Sequence, residues 1–183
     1  MLAYKGFRKD LTCRGYQFAR DRVNVTEKAN CKQNGFHCAE NPLDCLNYYS
    51  DWRNSAYFVV KAEGDLDEDG CDSKISCTHI RLCKELNMQD LLLHGLGYMV
   101  RHPERSWNSY VRKEEGIGEN GFIVVRGKHP IASGSTGDIL AMAKENADSS
   151  QIQEVGLFVV DEKNYFSNVW YDVNGKDTGR KSA

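Results

Sequence analysis

The sequence predicts an α+β domain, a mostly antiparallel sheet with two or three helices and a β-hairpin capping its C-terminal part. Stretches rich in β-branched and aromatic residues outnumber helical ones, and they follow each other closely enough to pair as hairpins. Helix signals occur in only three places, over 41–49, 88–102 and 138–147. With 183 residues, 40% hydrophobic and 27% charged, the chain can build one well-cored domain with an extension.

The elements follow in order. LAYKGF at 2–7 alternates as a first strand, RKDLTCRG is a polar turn, and GYQF opens a second short strand. Asn34-Gly35 is a turn signal ahead of the strand-like GFHC at 35–38. Asn41 then caps a helix, with Pro42 at its first position and Asp44 in its first turn, where a carboxylate suits the positive helix end. Residues 56–66 and 74–86 are strands joined by an acidic turn. The alternation of the second changes phase near His79, as a bulge or bend would make it do.

Asn87 caps a helix over 88–102, which carries Gly95 and Gly97. GFIVVRG is a buried strand, 138–147 a short helix, and VGLFVVDEKNYFSNVWYDV a closing hairpin that turns at Glu162-Lys163-Asn164. The organisation read from this is an N-terminal α+β domain over 1–102 and a polar connector over 103–120. A smaller β-rich part over 121–173 and a disordered tail over 174–183 complete it.

Composition narrows the function classes. No apolar run approaches the ~18 residues of a membrane span. The charged start MLAYKGFRKD does not read as a signal peptide, so a cytoplasmic protein without a membrane partner is expected. Cys13, Cys31, Cys38, Cys45, Cys71, Cys77 and Cys83 form no CxxC pair and have no histidine at finger spacing. They read as mostly buried, reduced thiols, with no metal and no cofactor expected. The net charge of −2 hides blocks: eight Lys/Arg against three acids over 1–33, and two against nine over 34–72. Such blocks can steer a charged partner.

Three motifs carry chemistry. Residues 65–76 imitate a calcium loop through Asp65, Asp67, Asp69 and Gly70, but Ser76 stands where a bidentate glutamate belongs, so they read as a solvated acidic turn. His37 lies just ahead of a helix start, near Glu40, Asp44, Tyr48 and Tyr49. It is the one catalytic candidate, as a general base or a contact to ribose or phosphate; equally it is a half-buried histidine bonded to Asp44 or a carbonyl. CRGYQFARDR interleaves Arg14, Arg20 and Arg22 with Tyr16 and Phe18, which suits single-stranded nucleic acid. Tyr16 and Phe18 share a strand face and read equally as core. Tyr48 and Tyr49 complete the candidate partner-binding set. A second basic stretch, His102, Arg105, Arg112 and Lys113, reads as a solvated loop. No Ser-His-Asp set, HExxH or G-x-S-x-G announces catalysis.

Tyr4-Lys5-Gly6-Phe7, Leu11-Thr12-Cys13-Arg14-Gly15, Gly35-Phe36-His37, Asn41-Pro42-Leu43-Asp44 and Asn47-Tyr48-Tyr49 form an ordered series. With Asp72-Ser73-Lys74-Ile75 and Ile80, it resembles a family encoded by bacteriophages, prophages and bacteria, over roughly residues 1–93. Longer members carry short Ala/Ser/Thr/Asn/Gly repeats and a β-rich cap, of which Ile131-Ala132-Ser133-Gly134 and 155–160 look like remnants. The resemblance brings no activity with it but implies a mobile-element setting, in which small accessory proteins antagonise host defence, anti-CRISPR proteins among them. The Gly35-Phe36-His37 corner is also similar to the Gly-Phe-Tyr corner of ADP-ribosyltransferase-like folds. That likeness implies a pocket for NAD at His37 and Tyr49, with Glu85 or Glu154 as catalytic glutamate.

The expectation is a phage- or prophage-derived effector that antagonises a nucleic-acid-based host defence, binding the nuclease or acting on its guide RNA. The rivals are an NAD-using enzyme and a structural or virion-associated protein without catalysis.

Overall fold

Strand β1 (Leu2–Arg8) is the first of twelve strands that a computed structural model places in this chain, among the described residues 1–31, 33–68 and 73–180. The chain divides into two units, Met1–Leu91 and Leu92–Ala183.

In the first unit β1 is followed by the short strands β2 (Thr12–Cys13), β3 (Tyr16–Gln17), β4 (Asn24–Val25) and β5 (Phe36–Ala39). Two long strands, β6 (Ser55–Glu68) and β7 (Lys74–Leu86), come next and pair with each other along most of their length. β1 lies on the free edge of β6, from Leu2 opposite Lys61 to Arg8 opposite Ser55. β5 and β4 line the free edge of β7. A bridge from Tyr4 to Ala39 joins β1 to β5, so the sheet closes on itself as a small antiparallel barrel. Closure leaves no long unpaired edge.

Alternation then fills the barrel. Ala3 and Phe7 of β1, Phe36 and Cys38 of β5, Ala56, Phe58, Val60 and Ala62 of β6, and Ile75, Cys77, Ile80 and Leu82 of β7 form one core. Phe7 meets Phe18 and Phe58 edge to face, with ring centroids 5.0 and 5.7 Å apart. The phase change near His79 matches a register shift in the β6–β7 ladder between Glu63 and Leu66, where two residues of β6 oppose one of β7. Gly64 occupies that bulge at φ +78°, with Thr78 and His79 packed where a Cβ would sit. The far end of the acidic turn, 69–72, lies outside the described residues, Asp69, Gly70, Cys71 and Asp72 included.

Helix α1 (Met88–Arg101) is capped by Asn87, whose Oδ1 accepts from the Asp90 amide at 2.8 Å. The second unit holds β8 (Val111–Ile117), β9 (Phe122–Ser133), β10 (Ile139–Glu145), β11 (Ile152–Val159) and β12 (Tyr171–Asp172). β8, β9 and β10 run parallel in sequence order, with Val111 opposite Val124 and Ala141 opposite Val124 on the other side. No helix joins them. Parallel neighbours need a crossover of about a dozen residues, and here the crossover is the rest of each turn of chain, as in one coil of a solenoid. Glu114, at φ +63°, makes a corner of β8, and its carboxylate accepts the amides of Lys128 and His129 at 2.9 and 3.0 Å, pinning the matching corner of β9. Burial pushes the Glu114 carboxyl up, but those two amides hold it below the usual range.

The molecule is therefore mostly β, which corrects the α+β expectation. Among the described residues α1 is the only α-helix. The segment capped by Asn41 is a short 3-10 helix, Pro42–Asn47, in which Asn41 Oδ1 accepts from Leu43 at 3.1 Å. The cap was legible, whereas the tightening was not: six residues leave no length for an α-helix before the chain returns to the barrel. Residues 138–147 hold β10 instead of a helix. Ile139 to Ala143 are all buried, so both faces are apolar and the alternation that marks a strand is erased. The C-terminal hairpin is absent as well: β11 pairs with β10 and β12 with β9.

Arg126 of β9 is 2% exposed yet fully engaged. Its guanidinium bonds Glu145 at 2.7 Å, the carbonyls of Pro103 and Ser150 at 2.7 and 3.0 Å, and lies 5.0 Å over the Trp107 ring. Arg126→Ala is expected to destabilise the second unit by roughly 3–5 kcal/mol, because it strands the Glu145 carboxylate and two carbonyls. Hydrogen exchange at Val124 and Ala141 should accelerate to match.

A basic, aromatic end of the barrel

The register of β1 on β6 decides which charges gather where. Arg8 sits opposite Ser55, at the base of the long hairpin, while Asp65, Asp67 and Glu68 are exposed toward its tip. Lys9 follows Arg8. Cys13 and Tyr16 pair across a two-residue turn made of Arg14 at φ +48° and Gly15 at φ +82°, the left-handed pair a tight hairpin favours. A second 3-10 turn, Trp52–Asn54, leads directly into Ser55, and the Arg53 guanidinium lies 4.6 Å over the Trp52 ring. Arg8, Arg14 and Arg53 thus belong to the base of the barrel together with Trp52.

Tyr49 joins them. Its ring lies against Gly6, where an added Cβ would come within 2.6 Å of Cδ2, so only glycine admits it at that point of β1. Its carbonyl accepts from the Tyr57 hydroxyl. Burial and a hydrogen bond with Cys13 raise the Tyr49 hydroxyl well above its ordinary range, while Arg8 and Arg14 pull it back. Both guanidinium groups therefore lie within electrostatic reach of the Tyr49 oxygen.

The sequence candidates distribute as follows. Arg14 and Tyr49 are in this group. Tyr16 is half-exposed, with its ring edge on Phe18 and Phe36 at 4.7 and 4.8 Å, so it closes the core and shows one side to solvent. Arg20 is tied to Glu85 at 2.8 Å and lies 5.0 Å over Phe58. Arg22 is exposed. Tyr48 is exposed on another part of the surface, under the Lys74 ammonium at 4.4 Å. His37 is half-buried on β5, opposite Ser76 of β7, and its carbonyl accepts from Lys5 at 2.7 Å. Asp44, read as a partner for that histidine, accepts from Ser73 Oγ at 2.6 Å. Of the glutamates suggested for an NAD-using site, Glu85 pairs with Arg20 and Glu154 with Lys144.

Sequence reasoning missed Arg8, Trp52 and Arg53. The signal was present, since the expected strand 2–7 ends at Arg8 and the strand from 56 begins beside Arg53, but the pairing that brings those ends together is nonlocal. Among the described residues no group of three or more His, Cys, Asp or Glu side chains is placed to hold a metal ion.

The first unit is thus a small closed β-barrel with one basic, aromatic end and an acidic opposite end. Residues 1–94 match the family described as a domain of unknown function, DUF7666, and the chain belongs to that family. Neither a curated protein nor a solved structure matches the chain. No helix of the described residues is long and apolar enough to cross a membrane.

The turn that carries Tyr48 and Tyr49 begins over a buried thiol. Burial pushes Cys45 up to about 12, against 9.0 when exposed. A group raised on folding adds stability that is complete below pH 9 and is lost as pH climbs toward 12. Stability should therefore fall over that window by at most about 1.4 kcal/mol per pH unit from this group. Iodoacetamide at pH 8.5 should label the exposed Cys83 first and leave Cys45 unmodified until the protein unfolds.

Proposed function

We propose that this chain binds single-stranded RNA at the basic end of the barrel. One observation carries the reading: exposed Arg8, Lys9, Arg14 and Arg53 outnumber the exposed Asp10 and Asp51 where β1 meets the base of β6, with the Trp52 ring under Arg53 and Tyr16 beside the Arg14 turn, while Asp65, Asp67 and Glu68 are exposed toward the hairpin tip. Among the described residues no ion pair holds Arg8, Lys9, Arg14, Arg22 or Arg53. Cations that track phosphates, interleaved with rings on which bases stack, are what unpaired nucleic acid needs. A duplex would hide its base faces from Trp52 and Tyr16.

The sequence resemblance to mobile-element proteins makes a CRISPR guide RNA the strand to try first, with and without its nuclease. In this reading the protein is an antagonist that acts by occupying RNA or the complex that carries it. Arg20, held by Glu85, contributes less than Arg14, and His37 contributes no chemistry.

Fluorescence anisotropy with a labelled single-stranded RNA tests it. Log affinity should fall with log salt at about −0.7 per phosphate neutralised, so three contacts give a slope near −2. Arg14→Ala and Arg53→Ala should each weaken binding roughly tenfold, and Arg14→Ala should flatten the slope by about one contact. Equal loss from Lys163→Ala, or no binding at low salt, would reject the proposal. Binding to the nuclease without its guide would assign the basic end to a protein partner instead.

A further inference from the structure

Lys5 alternates with Ala3 and Phe7 on the inner face of β1 and is 4% exposed. A lysine there must be fixed by partners. Its Nζ donates to the His37 carbonyl at 2.7 Å and to Cys13 Sγ at 3.8 Å, and lies 5.1 and 5.3 Å from the Phe7 and Phe18 rings. The amine is thereby held against one particular sulfur.

Cys13 differs from the other thiols. Cys38, Cys45 and Cys77 are buried, whereas Cys13 is only partly covered, in the two-residue strand β2 beside the Arg14-Gly15 turn. Cys83 is exposed, but its sulfur bonds the Arg81 carbonyl. Cys31 is partly covered, and its sulfur bonds the Lys74 carbonyl. Cys13 also shares a hydrogen bond with the Tyr49 hydroxyl, but what sets it apart is partial exposure together with a fixed amine at hydrogen-bond distance.

We propose that Lys5 and Cys13 form a site of reversible covalent modification, in which a hydroperoxide triggers a sulfur–nitrogen bridge between them. The Cys13 sulfur attacks the peroxide, breaking its O–O bond; the thiol becomes a sulfenic acid and the peroxide leaves as water or an alcohol. The Lys5 ammonium gives up a proton, and its nitrogen attacks that sulfur. An S–N bond forms as the S–OH bond breaks, and the departing hydroxide leaves as water with a proton from the amine. Sulfur is oxidised by two electrons and the peroxide reduced by two. Two thiols reverse the step: one cleaves the S–N bond, the second resolves the mixed disulfide, and amine and cysteine return. The bridge ties β1 to β2 directly beneath the Arg14 turn. It stands whether or not that end binds RNA.

Hydrogen peroxide added to the full chain, followed by intact mass and peptide mapping, tests this. The expected product has lost two hydrogens, joins the Lys5 and Cys13 peptides, and reverts with dithiothreitol. Dimedone present during oxidation should capture Cys13 at the bridge's expense. In Lys5→Arg the bridge should vanish and the dimedone adduct on Cys13 rise several-fold. Wild type alone decides the matter if that variant does not fold. Separate peptides with Cys13 carrying two or three oxygens would overturn the proposal. So would a disulfide from Cys13 to another cysteine, a bridge retaining an oxygen, or equal dimedone labelling of wild type and Lys5→Arg.

Discussion

A slip of one residue between β1 and β6 would turn Ala3, Lys5 and Phe7 out to solvent and drive Tyr4 and Gly6 into the barrel. The register from Leu2 opposite Lys61 to Arg8 opposite Ser55 is therefore the constraint on which the first unit rests. It places the Phe7 ring where Phe18 and Phe58 can meet it, and it aligns Tyr4 with Ala39 so that the sheet can close. It also leaves Gly6 facing outward, where the Tyr49 ring needs an absent side chain. The basic end follows from the same alignment, because Arg8 stops where β6 starts and Arg53 precedes that start by two residues.

Lys5 shows how much that register commits. Burying an ammonium is unfavourable unless fixed dipoles replace its water, and here a carbonyl from β5, a thiol from β2 and two aromatic faces do so. The lysine thereby links β1, the β2–β3 hairpin and β5, three pieces that share few backbone bonds. Arg126 plays a comparable part in the second unit, gathering Pro103, Glu145 and Ser150 around one buried charge. In each unit a cation inside the fold binds backbone carbonyls, one from strand β5 at Lys5 and two from loops at Arg126.

Much of the first unit was legible from local signals. Alternation marked β1 and, with one change of phase, β7; β-rich composition marked β6, Asn41 and Asn87 announced their caps, and the phase change near His79 announced the bulge. The second unit was less legible, because β8 to β10 are parallel and stacked. Burial on both sides of β10 removes alternation, and coil corners made of Glu114 or Asp138 look like ordinary polar loop. In the candidate site, Arg14 and Tyr49 could be read from composition near turns. Arg8, Trp52 and Arg53 could not, because their proximity exists only after β1 pairs with β6. His37 drew attention as a titratable group, and its backbone carbonyl also anchors the buried Lys5.

The claim that the polarity of the barrel sets its function is tested most directly by mapping amide chemical shifts while unlabelled single-stranded RNA is added to isotope-labelled protein. Perturbations should cluster over residues 8–16 and 52–55 and leave Asp65, Asp67 and Glu68 unmoved. Shifts concentrated at the acidic strands, or confined to the unit beginning at Leu92, would contradict the account.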